Sequence, residues 1–285
     1  MVRTSVRLDD YGTIGPMSQY LQAAILGLVQ GITEFVPISS SGHLVVVRQV
    51  FNWADQGLAF DAVLHLATLA AVLFYFRHDW LKMVEAVVTK KQTYELRQAR
   101  KLAGLIAVTT IPAIGAGLLF AGTIESTVRH LHDIAILMVG VGLLFFVAER
   151  YTHPRRDVSK LNFFDGLSIG LAQAVAIVPG ISRSGATIIT GMYHGLSRES
   201  AARYSFLAAG PIIALAGFYS LWQLFRGGIS DGLGLELAIG FVVSFSSGLL
   251  AIHWLLKFLN KHPLNIFAWY RIVVGAGLLI FSWLK

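Results

Sequence analysis

Long apolar runs dominate the chain from residue 20 onward, and charged positions fall mostly between them. Uninterrupted runs lie at roughly 60–76, 102–121, 133–149, 204–224, 234–256 and 264–283. Several reach the roughly 20 residues that cross a hydrocarbon core, and the shorter ones sit near the lower limit of about 17. They are predicted to be helices, because lipid offers no partner to an unpaired backbone amide. Two further stretches, 20–51 and 162–194, are broken midway by Pro, Gly and Ser. Pro37 removes an amide donor and crowds the preceding turn, so a helix from Tyr20 must stop near Val36. Pro179 and Gly180 impose the same stop near Val178.

The two breaks are copies of one another. The run GLVQGITEFVPISSSGH (Gly27 to His43) lies without a gap over GLAQAVAIVPGISRSGA (Gly170 to Ala186). Gly27/Gly170, Gln30/Gln173, Ser39/Ser182, Ser41/Ser184 and Gly42/Gly185 match at a constant offset, 173 − 30 = 143. Chance seldom aligns a polar cluster so well inside apolar sequence. Each half then reads as one re-entrant helix pair plus three transmembrane helices. Three spans per half is an odd number, so the second half must be inverted. The predicted fold class is all-α: a polytopic integral membrane protein built as an inverted repeat, with repeat 1 over about 20–150 and repeat 2 over about 160–285 of a single membrane domain.

Composition agrees. Of 285 residues, 55% are hydrophobic and only 14% charged, against about 25% charged in soluble domains. That deficit excludes a soluble enzyme, a disordered chain and a nucleic-acid module. The absence of cysteine excludes disulfides, thiol nucleophiles and Cys-ligated metals. Residues 1–19 are polar, carry Arg3, Arg7, Asp9 and Asp10, and lack the apolar core of a signal peptide, so they read as an arm or leader.

The net charge of +7 has a position as well as a size. Segments 77–101, 150–160, 196–203 and 257–262 hold most of the Lys and Arg, whereas the opposite loops hold Arg129 and Arg226. Six spans put the four basic segments on one face, which the positive-inside rule makes cytoplasmic. The first broken pair then enters from outside and the second from the cytoplasm, with their tips meeting near the midplane.

Broken helices aimed at the midplane are a common way to place an ion or substrate site in lipid. The first tip offers Gln30, Glu34, Ser39, Ser40, Ser41 and His43, with Gln30 and Glu34 sharing a helical face. A carboxylate at bilayer depth costs at least ~2.5 kcal/mol on insertion scales and is kept mostly for a partner or a task. The second tip offers Ser182, Arg183, Ser184 and Thr187. Arg183 can grip a phosphate through paired donors, and fresh helix N-termini after each break favour anions. Together these groups suit a multi-oxygen anion carried by a lipid. Glu34 can take a divalent cation beside a pyrophosphate. Ser40 or Ser39 can attack phosphorus with His43 as base, and Arg183 can neutralise the transferring group. Spacing alone does not separate a serine nucleophile from a histidine one or from water. Structural readings stand beside these: Ser41 and Ser182 as helix N-caps, Glu34 satisfied by loop amides, and Arg183 as its ion-pair partner.

At these residues the sequence resembles the undecaprenyl pyrophosphate phosphatase family, the bacitracin-resistance proteins. Gln30, Glu34, Pro37, Ser39, Ser40, Gly42 and His43 stand at its first motif, and Pro179, Gly180, Ser182, Arg183, Ser184 and Thr187 at its second. The likeness runs through FDAVLHLATLAAVL and YSFLAAGP. It implies removal of the terminal phosphate of a polyprenyl pyrophosphate that carries cell-wall precursors. It further implies Mg²⁺ or Ca²⁺ at Glu34 and a bacterial plasma-membrane location with the site open to the outer face. Bacitracin is expected to act on that substrate, and a homodimer is one assembly left open. Some members carry Glu where this chain has Gln30, which removes a second carboxylate. The rival class is a carrier or flippase using the same midplane site.

Three other polar residues fall inside predicted spans. Asp61 and His65, one turn apart, are expected to line the cavity or orient Glu34, with quiet packing the alternative for His65. Arg271 is expected to snorkel to the interface.

Overall fold

A computed structural model describes residues 16–127, 130–153, 156–227 and 234–284. They form the helices α1 (Pro16–Phe35), α2 (Ser40–Val50), α3 (Gly57–Tyr75), α4 (Arg77–Val88), α5 (Tyr94–Thr127), α6 (Leu131–Tyr151), α7 (Phe163–Val175), α8 (Arg183–Tyr193), α9 (Arg198–Gly227), α10 (Gly234–Leu259) and α11 (Asn265–Leu284). Helices α5, α6, α9, α10 and α11 are each long and apolar enough to cross a membrane. The protein is an all-α, multi-pass membrane protein. Most of the leader predicted over 1–19 lies outside the described residues, as do Arg129, Arg155 and the Arg226 side chain; α1 already opens at Pro16.

Both predicted breaks are present. Helix α1 stops at Phe35, two residues before Pro37, and α2 restarts at Ser40. Helix α7 stops at Val175, three residues earlier than predicted, and α8 restarts at Arg183. The run predicted at 60–76 is α3, ending at Tyr75; the departure comes after it, where the chain bends by 77° into α4 in place of the start of the expected charged loop. The apolar run ends at Phe76, and Arg77, His78 and Asp79 follow. Asp79 then pairs with Arg203 of α9 at 2.7 Å, and Trp80 lies where a Cβ on Gly210 would meet it at 2.8 Å. These contacts tie the start of α4 to α9, while the helix packs on α5.

The helix before each break packs on a long helix of the other half, α1 along α10 and α7 along α5. The contact is close. A Cβ on Gly27 would stand 2.7 Å from the Gly240 carbonyl oxygen, and one on its repeat mate Gly170 would stand 2.7 Å from that of Thr109. Only glycine lets the two backbones approach this far. Helices α6 and α11, equivalent in the two halves, pack on each other and close the bundle.

The four basic segments gather at one end, as the charge count predicts. Lys101 donates to the Ser159 carbonyl, Arg203 pairs with Asp79, Arg198 with Glu149, and Asn260 bonds Glu199.

Candidate active site

The two tips share an unusual backbone turn. Ser39 has φ 80°, ψ 98° and Ser182 has φ 74°, ψ 109°. Residues other than glycine on this left-handed side cost about 1–3 kcal/mol each and persist only where the surroundings fix them. Here each serine caps its helix, accepting from the Gly42 amide (3.4 Å) or the Gly185 amide (3.2 Å). The cap predicted at Ser182 is therefore present, and the one predicted at Ser41 falls to Ser39. Ser39 Oγ also accepts from the Gly180 amide at 3.2 Å, so the tips touch directly.

Glu34 sits where they meet, 6% exposed. Its Oε1 accepts from Arg183 Nη2 at 2.6 Å. Its Oε2 accepts from Ser40 Oγ at 2.7 Å and from Gln30 Nε2 at 3.0 Å. Gln30 Nε2 also lies 3.0 Å from His65 Nδ1, which stands 3.7 Å from Glu34 Oε2. Four side chains, one each from α1, α2, α3 and α8, thus converge on one carboxylate. Arg183 Nη1 is buried and unpartnered, leaving a charged donor free for an incoming anion.

A cavity of about 400 Å³ opens from this cluster. Glu34, Ser39, Ser40, Ser41, Ser182, Arg183 and Ser184 form its polar end, and Ala113, Ile177, Ile212, Ile213 and Ala216 its apolar wall. Asp61 and His65 line it as predicted. Asp61 is gripped by Arg48 through both guanidinium Nη atoms, at 2.5 and 3.1 Å, which fixes α2 against α3. Thr187 sits behind the cavity, bonded to the Arg183 carbonyl at 2.8 Å and Ser205 Oγ at 2.6 Å. It orders the first turn of α8 and is absent from the cavity wall.

The family profile described as bacitracin resistance protein BacA matches residues 23–277. The chain belongs to the BacA family. The undecaprenyl-diphosphatase of Rubrobacter xylanophilus is 44% identical over 265 residues, 91% of this chain and 97% of its own. That of Synechococcus elongatus is 44% identical over 264 residues, 90% and 91% of the two chains. That of Chlorobaculum tepidum is 41% identical over 270 residues, 91% and 95%.

Two residues of this BacA-family chain depart from expectation. His43 is not paired with Ser40. Its Nδ1 bonds the Ser39 carbonyl at 2.7 Å, its Nε2 meets the Tyr270 hydroxyl at 2.9 Å, and the two rings stack at 5.7 Å. The capped turn at Ser39 aims this side chain at α11, away from the cavity, so the hydroxyl proton of Ser40 faces Glu34 instead. Arg271 does not snorkel. It is fully buried, and its guanidinium donates to Pro37 O (3.3 Å) in the first tip and Gly180 O (2.6 Å) in the second, as well as to Met138 O and Leu137 O of α6. Carbonyls freed by the two helix breaks supply what a carboxylate usually supplies. An arginine inside an apolar span is the signal the sequence carries for such a buried role. Tyr270 left none.

The acids present suit a cation that arrives with the substrate better than a protein-only cage. Among the described residues no group of three His, Asp or Glu converges. Both oxygens of Glu34 are hydrogen-bonded, Asp61 is held by Arg48, and Gln30 turns its NH₂ toward Glu34. Magnesium commonly takes one or two carboxylates plus substrate phosphate oxygens, and Glu34 on the cavity wall meets that requirement.

Proposed function

We propose that this chain is an undecaprenyl-diphosphatase, a membrane hydrolase that removes the terminal phosphate of a polyprenyl pyrophosphate and returns the monophosphate carrier to cell-wall synthesis. The observation that carries this reading is the Ser40–Glu34–Arg183 chain at the polar end of a cavity whose remaining wall is apolar. A charged head fits the first region and a prenyl chain the second.

At rest, Glu34 neutralises Arg183. A pyrophosphate brings more negative charge than a carboxylate and competes for the guanidinium, beginning at the unpartnered Nη1. Glu34 is then released as a base for the Ser40 hydroxyl it already accepts. Ser40 Oγ attacks the terminal phosphorus, its proton passes to Glu34 Oε2, and the bond to the bridging oxygen breaks. The electron pair leaves with the prenyl monophosphate. Water then attacks the phosphoserine, the serine–phosphorus bond breaks as Glu34 returns its proton to Ser40, and inorganic phosphate leaves as the dihydrogen form carrying the oxygen and both protons of the water. Arg183 and the first amides of α2 and α8 stabilise the charge on the transferring group. A divalent cation held between Glu34 and the substrate would supply further neutralisation of the phosphate oxygens.

The gathering of basic segments at one end supports a plasma-membrane orientation in which that end is cytoplasmic. On this reading the halves insert from opposite leaflets, the cavity serves the outer face, and bacitracin acts on the lipid this enzyme consumes. Phosphate release from farnesyl pyrophosphate by the purified protein in detergent tests the function. Release abolished by Ser40→Ala supports it. Retention of the lipid without release, unchanged by Ser40→Ala, sinks it in favour of a carrier.

A further inference from the structure

Helix α4 contributes nothing to the cavity, yet its outer face is apolar and uncovered. Leu81, Val84, Val87 and Val88 recur at helical spacing and are 58–73% exposed, while Met83 and Ala86 are buried on the opposite side. At twelve residues, about 18 Å long, the helix is too short to span lipid, and the 77° bend carries it off the α3 axis. Beside it runs a groove of about 270 Å³ lined by Trp80, Val84, Val87, Val88, Ala103 and Ile106.

Charge identifies what covers this face. Segment 77–101 holds seven Lys and Arg against three acids, Asp79, Glu85 and Glu95. Two of those acids are committed, Asp79 to Arg203 and Glu95 to Lys82. Lys90, Lys91 and Arg97, where α4 gives way to α5, are exposed and form no ion pair among the described residues. An apolar helix face flanked by unpaired cations is the signature of a helix lying in the headgroup layer of an anionic leaflet.

We propose that α4 lies in that layer at the basic end of the molecule and, with the start of α5, holds an anionic phospholipid. An acyl chain fills the α4–α5 groove and the phosphate meets Lys90, Lys91 and Arg97. A soluble phosphate would leave the groove empty, and a zwitterionic lipid would bring no net charge for the three cations. The inference does not depend on the hydrolytic reading.

The chain has no cysteine, so Val84→Cys and, as a control in the connecting loop, Gln92→Cys each give one spin label on the full-length protein. The labelled protein is placed in phosphatidylcholine nanodiscs with and without phosphatidylglycerol. The Val84→Cys label should collide more with oxygen than with a water-soluble nickel chelate, the Gln92→Cys label should do the reverse, and phosphatidylglycerol should slow the first label. The triple variant Lys90→Gln, Lys91→Gln, Arg97→Gln should lose that slowing. By native mass spectrometry it should retain about a hundredfold less phosphatidylglycerol, since each of the three surface cations contributes about a fivefold preference, while keeping its hydrolysis rate in detergent. A Val84→Cys label reached freely by the nickel chelate places α4 in water and overturns the proposal. So does a label shielded from both reagents, which means another protein surface covers the helix, and so does an unchanged lipid response in the triple variant.

Discussion

The two helix-break tips have one backbone and two chemistries. Ser39 and Ser182 take nearly the same dihedral angles and cap their helices in the same way. At the shared offset, however, Glu34 stands opposite Ile177, Ser40 opposite Arg183, and His43 opposite Ala186. One tip supplies the acceptor and the hydroxyl, the other the cation. The matching positions build the two turns, and on the proposed mechanism the reaction draws on the positions where the copies disagree. Arg271, bonded to a carbonyl from each tip, holds that disagreement in register.

Exchanging the charges attacks this comparison most directly. The double variant Glu34→Arg, Arg183→Glu can re-form the ion pair but moves the carboxylate away from Ser40. Its melting temperature in detergent should lie nearer wild type than that of either single change, while phosphate release falls below detection. Recovered turnover would mean that the tips are interchangeable. Next come the single variants Glu34→Ala and Arg183→Ala, each expected to lower turnover by at least about a hundredfold without preventing folding. Near-normal release from either removes that residue from the mechanism. Arg271→Leu should lower both stability and rate, because it orphans tip carbonyls at about 1–3 kcal/mol each; a normal melting curve with intact activity would show that the tips hold their register unaided. Chelation of divalent cations should reduce turnover, with recovery on adding Mg²⁺ or Ca²⁺. The smallest effect is expected for Tyr270→Phe, which removes one hydrogen bond to His43, about 0.5–1.5 kcal/mol. A rate loss beyond tenfold there would place His43 in the reaction after all.

Much of this was legible in the chain. Pro37 and the Pro179–Gly180 pair mark the breaks through lost donors and restricted dihedrals, and the 143-residue offset pairs the tips before any coordinates. The approach of Glu34 to Arg183 is what the expectation of two breaks meeting tip to tip leads to. What escaped depends on direction. Hydropathy marks the end of the apolar run at Phe76 but cannot see that the charged segment beyond it goes on as α4 at 77°, because the contacts responsible, Asp79 with Arg203 and Trp80 on Gly210, are distant in sequence. The ring of His43 and the guanidinium of Arg271 are likewise aimed by neighbours across the bundle. Ser39, rather than Ser41, caps α2 because the turn after Pro37 places its hydroxyl under the Gly42 amide.

The crossed packing of α1 on α10 and α7 on α5 also bears on how the chain is made. Gly27 and its partner Gly240 are separated by 213 residues (240 − 27). At ribosomal speeds of about 5–20 residues per second, the hairpin bearing Glu34 waits roughly 10–40 s in the nascent chain before its docking surface has been synthesised. During biogenesis the first half is therefore an orphan with its acidic group unmatched, and assembly is completed only when the late helices arrive.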